Sequence, residues 1–127
     1  MAQHILIADD DPLMLRLYGA YLEAAGYRIS TAINGEKALE LVVVDPPDLI
    51  IMDVVMPEMG GLVALRQLKA QPTTAAIPVV VITSIQAYQV SAQEAKTLGA
   101  TTFLTKPFSL PSLLAEVRKV LGEPAQT

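Results

Sequence analysis

The stretch Leu49-Ile50-Ile51-Met52 runs directly into Asp53, and this apolar run ending in a carboxylate indicates the fold class. Four apolar residues are too few for a typical helix, so the run predicts a buried strand. A carboxylate at the edge of a core costs free energy unless a cation, a lysine or backbone donors neutralise it. We therefore expect Asp53 to take part in chemistry.

Similar apolar runs alternate with helical patterns along the whole chain. Strands are predicted at residues 5–8, 28–32, 49–52, 79–82 and 102–104. Helices are predicted at residues 12–25, 36–44, 62–70, 86–98 and 109–121. Five βα units with near-continuous apolar strands predict an α/β fold in which helices cover both faces of a doubly wound parallel sheet.

Local signals support the predicted helix boundaries. Pro12 lies near the first turn of the first helix, and Gly26 follows its end. Asn34 is a plausible N-cap for the second helix. Helical spacing places one apolar face of the first helix on Met14, Leu17, Tyr21 and Ala25.

Composition excludes several classes of protein. The 127 residues suffice for one domain, and 52% are hydrophobic, which is enough for a substantial core. The chain has no cysteine, which excludes disulfides, a thiolate nucleophile and a zinc–thiolate site. No run approaches the roughly 20 apolar residues that span a bilayer. A soluble cytoplasmic protein with no membrane partner is the simplest interpretation.

The charged residues argue against direct nucleic-acid binding. The net charge is −4, and the nine basic residues are scattered rather than gathered in a stripe.

His4 is the single histidine, and a lone imidazole before a strand is most simply solvated. Catalysis by a Ser-His-Asp triad is therefore implausible.

Polar residues cluster where the predicted strands end. The residues that follow or end strands one, three, four and five are Asp9, Asp10, Asp53, Thr83, Ser84 and Lys106. Ligands of such folds bind at the carboxyl ends of the strands, so we expect these side chains to converge at one edge. Carboxylate oxygens without cysteine or a usable histidine favour a hard cation, most simply Mg²⁺.

Each motif alone also has an ordinary structural interpretation. Asp9, Asp10 and Asp11 could cap the first helix and complement its dipole. Asp53 could cap a turn, Thr83 and Ser84 could cap the next helix, and Lys106-Pro107 could form a surface turn. The joint placement at strand ends favours a functional site over these separate interpretations.

Four motifs resemble the response-regulator receiver domain of two-component signalling. They are ILIADDDP at residues 5–12, DVVMPEMGG at 53–61, VITS at 81–84 and FLTKPF at 103–108. The resemblance covers essentially the whole chain and implies a flavodoxin-like sheet of order 2-1-3-4-5 with five helices. We expect a receiver domain at residues 1–122, a short tail at 123–127 and no output domain. The chain is then either a stand-alone receiver of the chemotaxis type or an excised part of a larger regulator or hybrid kinase.

The resemblance implies a role for each residue of the site. Asp53 is the phospho-acceptor, with Lys106 and Thr83 as its catalytic partners. Mg²⁺ is bound by Asp10, by Asp53, by the Val55 backbone carbonyl and, through water, by Asp9. Thr83, Ser84 and Lys106 bind the phosphoryl group. Thr83 and Phe103 form the conformational switch, and the Lys106–Pro107 peptide is cis.

The resemblance also predicts the protein partners and the lifetime of the phosphoryl group on Asp53. The donor is a histidine kinase or a phosphotransfer protein, and the output is an unidentified partner or fused domain. Thr101 and Thr102 replace an acidic pair common in dimerising relatives, so we expect a monomer or a weak phosphorylation-dependent dimer. Val55 and Ile85 are aliphatic and cannot orient an attacking water, which predicts slow autodephosphorylation. Gly60 and Gly61 are expected only to loosen the loop.

Three other functions remain as alternatives. A Mg²⁺-dependent phosphatase with an aspartate nucleophile normally carries a second aspartate two residues later, where this chain has Val55. A pseudo-receiver would act only as an interaction scaffold, but the intact acidic and basic residues argue against it. A flavin-binding domain is disfavoured because a phosphate loop is missing. We therefore expect a switch that catalyses only its own phosphorylation and dephosphorylation, and not an enzyme.

Overall fold

The architecture of the chain is a five-stranded parallel sheet between two layers of helices. The computed structural model describes residues 2–54, 60–84, 96, 97 and 99–122. The strands are β1 (His4–Ala8), β2 (Arg28–Ala32), β3 (Leu49–Asp53), β4 (Val79–Ser84) and β5 (Thr102–Lys106). Their order in the sheet is β2-β1-β3-β4-β5, which confirms the predicted doubly wound fold.

Four helices of the described chain cover the sheet. They are α1 (Pro12–Ala24), α2 (Gly35–Val44), α3 (Gly61–Ala70) and α4 (Leu110–Val120). The predicted helix at residues 86–98 lies almost wholly outside the described residues. None of the described helices is long and apolar enough to cross a membrane.

The alternation of side chains along the strands divides the core into two clusters. Leu6, Ile50 and Val81 point toward α2 and α3 and form one cluster with Ala64 and Leu65 of α3. On the other face, Ile7, Ile51 and Ile82 pack with residues of α1 and α4 that include Leu22 and Leu113. Because both faces of the central strands are buried, the sequences of those strands are continuously apolar and do not alternate with polar residues.

The apolar face predicted for α1 was wrong in part. Leu17 is 45% exposed, and the buried stripe consists of Leu15, Tyr18 and Leu22. The helix is apolar on nearly every side, so two stripes at helical spacing compete. The stripe that packs inward is the one beside Gly19, where a Cβ would lie 3.4 Å from Ile29 Cγ2.

Two predicted helix signals are confirmed. Asn34 is the N-cap of α2, and its side-chain oxygen accepts a hydrogen bond from Lys37 N at 2.8 Å. Gly26 follows α1 with φ of 106°, a conformation that side chains rarely adopt.

The prediction of a solvated His4 was wrong. His4 is the first residue of β1 and is only 3% exposed. Its Nε2 lies 2.7 Å from Ser30 Oγ, and its backbone N–H donates to Asp48 Oδ2 at 2.7 Å. The parallel pairing of β1 with β2 begins at His4 and Arg28, so the imidazole is covered by its neighbours in the sheet.

The last two strands are longer than predicted. Thr83, Ser84 and Lys106 were expected to follow their strands, but they are the final residues within β4 and β5. The pairing of these strands extends to Ser84 and Lys106, because backbone hydrogen bonds continue regardless of side-chain polarity. The three residues nevertheless lie at the expected edge of the sheet.

Candidate functional site

An acidic cluster lies at the carboxyl ends of β1 and β3. Asp9 and Asp10 follow β1, Asp53 ends β3, and each offers a carboxylate oxygen within 4.8 Å of the others. Asp9 is 1% exposed and Asp53 is 5% exposed, whereas Asp10 is exposed. The sheet order produces this cluster, because β1 and β3 are direct neighbours.

Lys106 provides the opposite charge from the end of β5. Its Nζ lies 2.7 Å from Asp53 Oδ2 and 4.0 Å from Asp9 Oδ2. Burial alone would lower the pKa of Lys106, but the hydrogen bond and charge of Asp53 outweigh burial, and the pKa is raised. The amine is therefore fully protonated at neutral pH and neutralises part of the acidic cluster.

The carboxylate of Asp9 is only half satisfied. Its Oδ1 accepts a hydrogen bond from the backbone N–H of Asp11 at 2.9 Å. Its Oδ2 is buried and has no hydrogen-bond partner among the described residues. Burial is the main reason that the pKa of Asp9 is raised, and the charges of Asp53 and Asp10 act in the same direction.

These residues fit a hard divalent cation. The donor set consists of carboxylate oxygens, the ligand type that Mg²⁺ prefers. A cation at the cluster would also give the buried Asp9 Oδ2 the partner that the described residues do not provide. Asp9, Asp10 and Asp53 are the residues that could hold it.

The capping interpretation of the aspartate run is correct for one of its members. Asp11 is the N-cap of α1, and its Oδ1 accepts a hydrogen bond from Leu13 N at 2.9 Å. Asp9 is not the cap: it is buried, its Oδ1 accepts from the backbone N–H of Asp11, and its Oδ2 lies 4.0 Å from Lys106 Nζ.

Two further predicted residues, Thr83 and Phe103, lie on β4 and β5. Thr83 is 2% exposed at the end of β4, next to β3. It lies on the same face of the sheet as Val81, and Val81 pairs with Phe103 on β5. The Phe103 side chain is half-buried against the core cluster of that face.

The other residues predicted for the site are Ser84, Pro107, Val55 and Ile85. Ser84 pairs with Lys106 at the sheet edge, and the Lys106–Pro107 peptide is cis. Val55 and Ile85, on which the predicted phosphoryl lifetime rests, lie outside the described residues.

Gly61 belongs to the site, although the sequence suggested that it only loosens a loop. A Cβ at this position would lie 2.0 Å from the carbonyl oxygen of Asp53. The Gly61 N–H also donates to the carbonyl oxygen of Val54 at 3.0 Å. The start of α3 therefore packs directly on the backbone that carries Asp53. A glycine at the first position of a helix, where glycine is a poor helix former, was the available signal.

Gly61→Ala should destabilise the protein by about 1–3 kcal/mol, the usual cost of overpacking, because the contacted atoms are backbone and cannot rotate away. Urea denaturation measures the loss. Gly19→Ala is the matched control, since its Cβ would make an ordinary contact at 3.4 Å. Equal stability of the Gly61→Ala variant and the parent would show that β3 and α3 can separate at no cost.

Asp9→Asn should raise the free energy of unfolding at pH 7, because the ionised carboxylate is disfavoured in the folded protein. The pKa of Asp9 is raised in the folded state, so the cost of its charge is present above that pKa. The cost disappears as the pH falls below 3.8, the ordinary value of an aspartate. The gain should therefore shrink on acidification.

Denaturation of both proteins across this pH range measures the gain from Asp9→Asn. Asparagine keeps an oxygen that can accept the hydrogen bond from Asp11 N. The exposed Asp11→Asn variant keeps its capping oxygen and is the control. A stability gain that did not depend on pH would contradict the electrostatic explanation.

Comparison with known proteins agrees with this geometry. Residues 5–118 match the family model of the response regulator receiver domain. Response regulator PleD of Caulobacter vibrioides is 42% identical over 120 residues, which cover 94% of this chain and 26% of PleD. Protein PilH of Pseudomonas aeruginosa is 37% identical over 118 residues, which cover 93% of this chain and 97% of PilH. The chain therefore spans about a quarter of PleD and nearly all of PilH.

A solved structure shows the same fold. It is the receiver domain of a signal transduction histidine kinase from Syntrophus aciditrophicus, with a TM-score of 0.88 and 35% identity. The alignment covers 99% of this chain and 95% of that one. The sheet order, the family match and these relatives together show that the chain belongs to the response regulator receiver domain family of two-component signalling.

Proposed function

We propose that Asp53 accepts a phosphoryl group in a Mg²⁺-dependent reaction, and that the domain, at residues 1–122, then changes conformation to control a partner or a fused module. One observation carries the proposal: Asp53 is almost fully buried at a strand end, and its Oδ2 lies 2.7 Å from Lys106 Nζ. The carboxylate is thus held in one orientation beside a fixed positive charge.

The residues of the site suit phosphoryl transfer. A carboxylate oxygen of Asp53 would attack phosphorus while the bond to the donor's leaving atom breaks, giving an aspartyl phosphate. Such transfer depends mainly on positioning and on stabilisation of charge. Lys106 would move from the carboxylate to a phosphoryl oxygen, the Thr83 hydroxyl would donate to another oxygen, and the Ser84 N–H could add a further bond.

The acidic cluster suits the proposed cofactor. Bound at Asp9, Asp10, Asp53 and the Val55 carbonyl, Mg²⁺ would neutralise the carboxylates and the phosphoryl oxygens. The role of Asp9 is supported by its buried Oδ2, which has no hydrogen-bond partner in the described part of the chain. Asp10 is exposed and can turn toward solvent or toward the ion.

The proposed switch links Thr83 to Phe103. Both side chains lie on the same face of adjacent strands, offset by two residues in register. Movement of Thr83 toward the phosphoryl group would open space on that face for the half-buried Phe103 ring. Phenylalanine has no hydroxyl, so its inward state would rest on packing alone.

The proposed donor is a histidine kinase or a phosphotransfer protein, and the output partner is a protein or a fused domain. The Asp53–Lys106 contact supports this switch over a pure interaction scaffold. The valine at position 55 disfavours turnover of external phosphoesters, because it cannot act as a general acid or base.

Incubation with acetyl phosphate and Mg²⁺ should add one phosphoryl group, detected by mass spectrometry of the intact protein. Asp53→Asn should abolish the adduct because the nucleophile is lost. Asp10→Asn should slow its formation, whereas the neighbouring exposed Asp11→Asn should not. Failure of acetyl phosphate and of every kinase donor to give an adduct would favour the scaffold alternative.

The aspartyl phosphate should persist for minutes or longer once the donor is removed, because Val55 and Ile85 cannot orient an attacking water. The decay of the phosphorylated mass with time measures its lifetime. Replacing Val55 with asparagine, a polar residue of similar size, should shorten it. A lifetime of seconds in the unmodified chain would contradict the prediction.

A further inference from the structure

Lys106 depends on its backbone for its position. Its side chain is 37% exposed, and a lysine loses much rotamer freedom when its amine is fixed at one site. A shift of the Lys106 backbone would therefore either lengthen the contact with Asp53 Oδ2 or restrict the side chain to fewer rotamers that still reach it.

The backbone on either side of Lys106 is held in two places. Before it, β5 pairs with β4 as far as Ser84 and Lys106. After it, Ser109 caps α4 and accepts a hydrogen bond from Ser112 N at 3.2 Å. Between these anchors lie Pro107, which is exposed, and Phe108, which packs against the core.

Phe108 packs against a tyrosine of α1. The ring centroids of Tyr18 and Phe108 are 5.6 Å apart, with the planes tilted by 33°. Tyr18 is 5% exposed and belongs to the same apolar cluster as Leu22 and Leu113, so its ring is fixed by the core. Aromatic pairs at this distance contribute beyond their buried area.

Tyr18 also lies within the electrostatic reach of the site. Burial is the main reason that the pKa of its phenol is raised, and Lys106 opposes that shift while Asp9 and Asp53 reinforce it. The ring of Tyr18 makes the contact with Phe108.

We infer that Tyr18 is a positioning residue for phosphoryl transfer: its ring holds Phe108 and thereby fixes the turn that sets the Lys106 amine on Asp53. The inference rests on the proposed function for its kinetic consequence. The placement of Lys106, however, can be measured without phosphorylation.

The first test follows Lys106 directly. Crystal structures of the variants should show Lys106 Nζ, which lies 2.7 Å from Asp53 Oδ2 in the parent, out of hydrogen-bond reach of that oxygen in Tyr18→Leu. Tyr18→Phe keeps the ring and should keep the parent distance. Tyr21→Leu removes another tyrosine of α1, partly buried in the same cluster, and is the matched control. An unchanged Nζ–Oδ2 distance in Tyr18→Leu would overturn the inference.

The second test measures phosphorylation by acetyl phosphate. Tyr18→Leu should slow it about two- to tenfold, the equivalent of one aromatic pair, with no change in Mg²⁺ affinity measured by calorimetry. The defect should vanish in the Lys106→Ala background, since Tyr18 acts through Lys106. A defect that persisted there would indicate general destabilisation and overturn the inference.

Phe108→Leu removes the other ring and provides a second variant should Tyr18→Leu fold poorly. It should reproduce both effects without adding to them. If the parent protein is not phosphorylated at all, the proposed function fails. The distance between Lys106 Nζ and Asp53 Oδ2 in the variants then still decides whether Tyr18 positions the amine.

Discussion

The contact between Asp53 Oδ2 and Lys106 Nζ is the interaction on which the site depends. The two residues end β3 and β5, which are separated in the sheet by β4. Their side chains therefore meet across an intervening strand, and only because all three strands run parallel and stop at one edge. A shift in strand register by one residue would turn either side chain to the opposite face of the sheet. The apolar core that fixes the register thus also fixes the ion pair.

The charges at this edge do not balance. Among the described residues, three carboxylates lie beside one lysine, and the most buried of them, Asp9, has an oxygen without a hydrogen-bond donor. Such an arrangement is costly for the folded chain, and natural proteins retain costs of this kind mainly at functional sites. A divalent cation bound at this edge would relieve the same imbalance. Under the proposed function, stability and ion binding therefore make opposite demands on Asp9.

Much of this arrangement could be predicted from the sequence, because apolar runs identify buried strands and polar residues at their ends identify the edge. The prediction failed where the decisive neighbour is remote in sequence. His4 is covered by Ser30 of the next strand, and no local pattern reveals that pairing. The stripe of α1 that packs inward was ambiguous because the helix is apolar on nearly every side. The role of Gly61 could not be predicted, because the group that leaves no room for a side chain there is the backbone carbonyl of Asp53. Every residue has such a carbonyl, so the sequence does not distinguish it.

The close approach of Gly61 to Asp53 has a mechanical consequence. The backbone at the first turn of α3 contacts the last peptide of β3 directly, with no side chain between them. The two segments should therefore move together. A displacement of the Asp53 backbone, from whatever cause, would be passed to α3 without the damping that a flexible side chain provides. On the face of the sheet that packs against α2 and α3, which also carries Phe103, a helix is thereby connected directly to the backbone of Asp53.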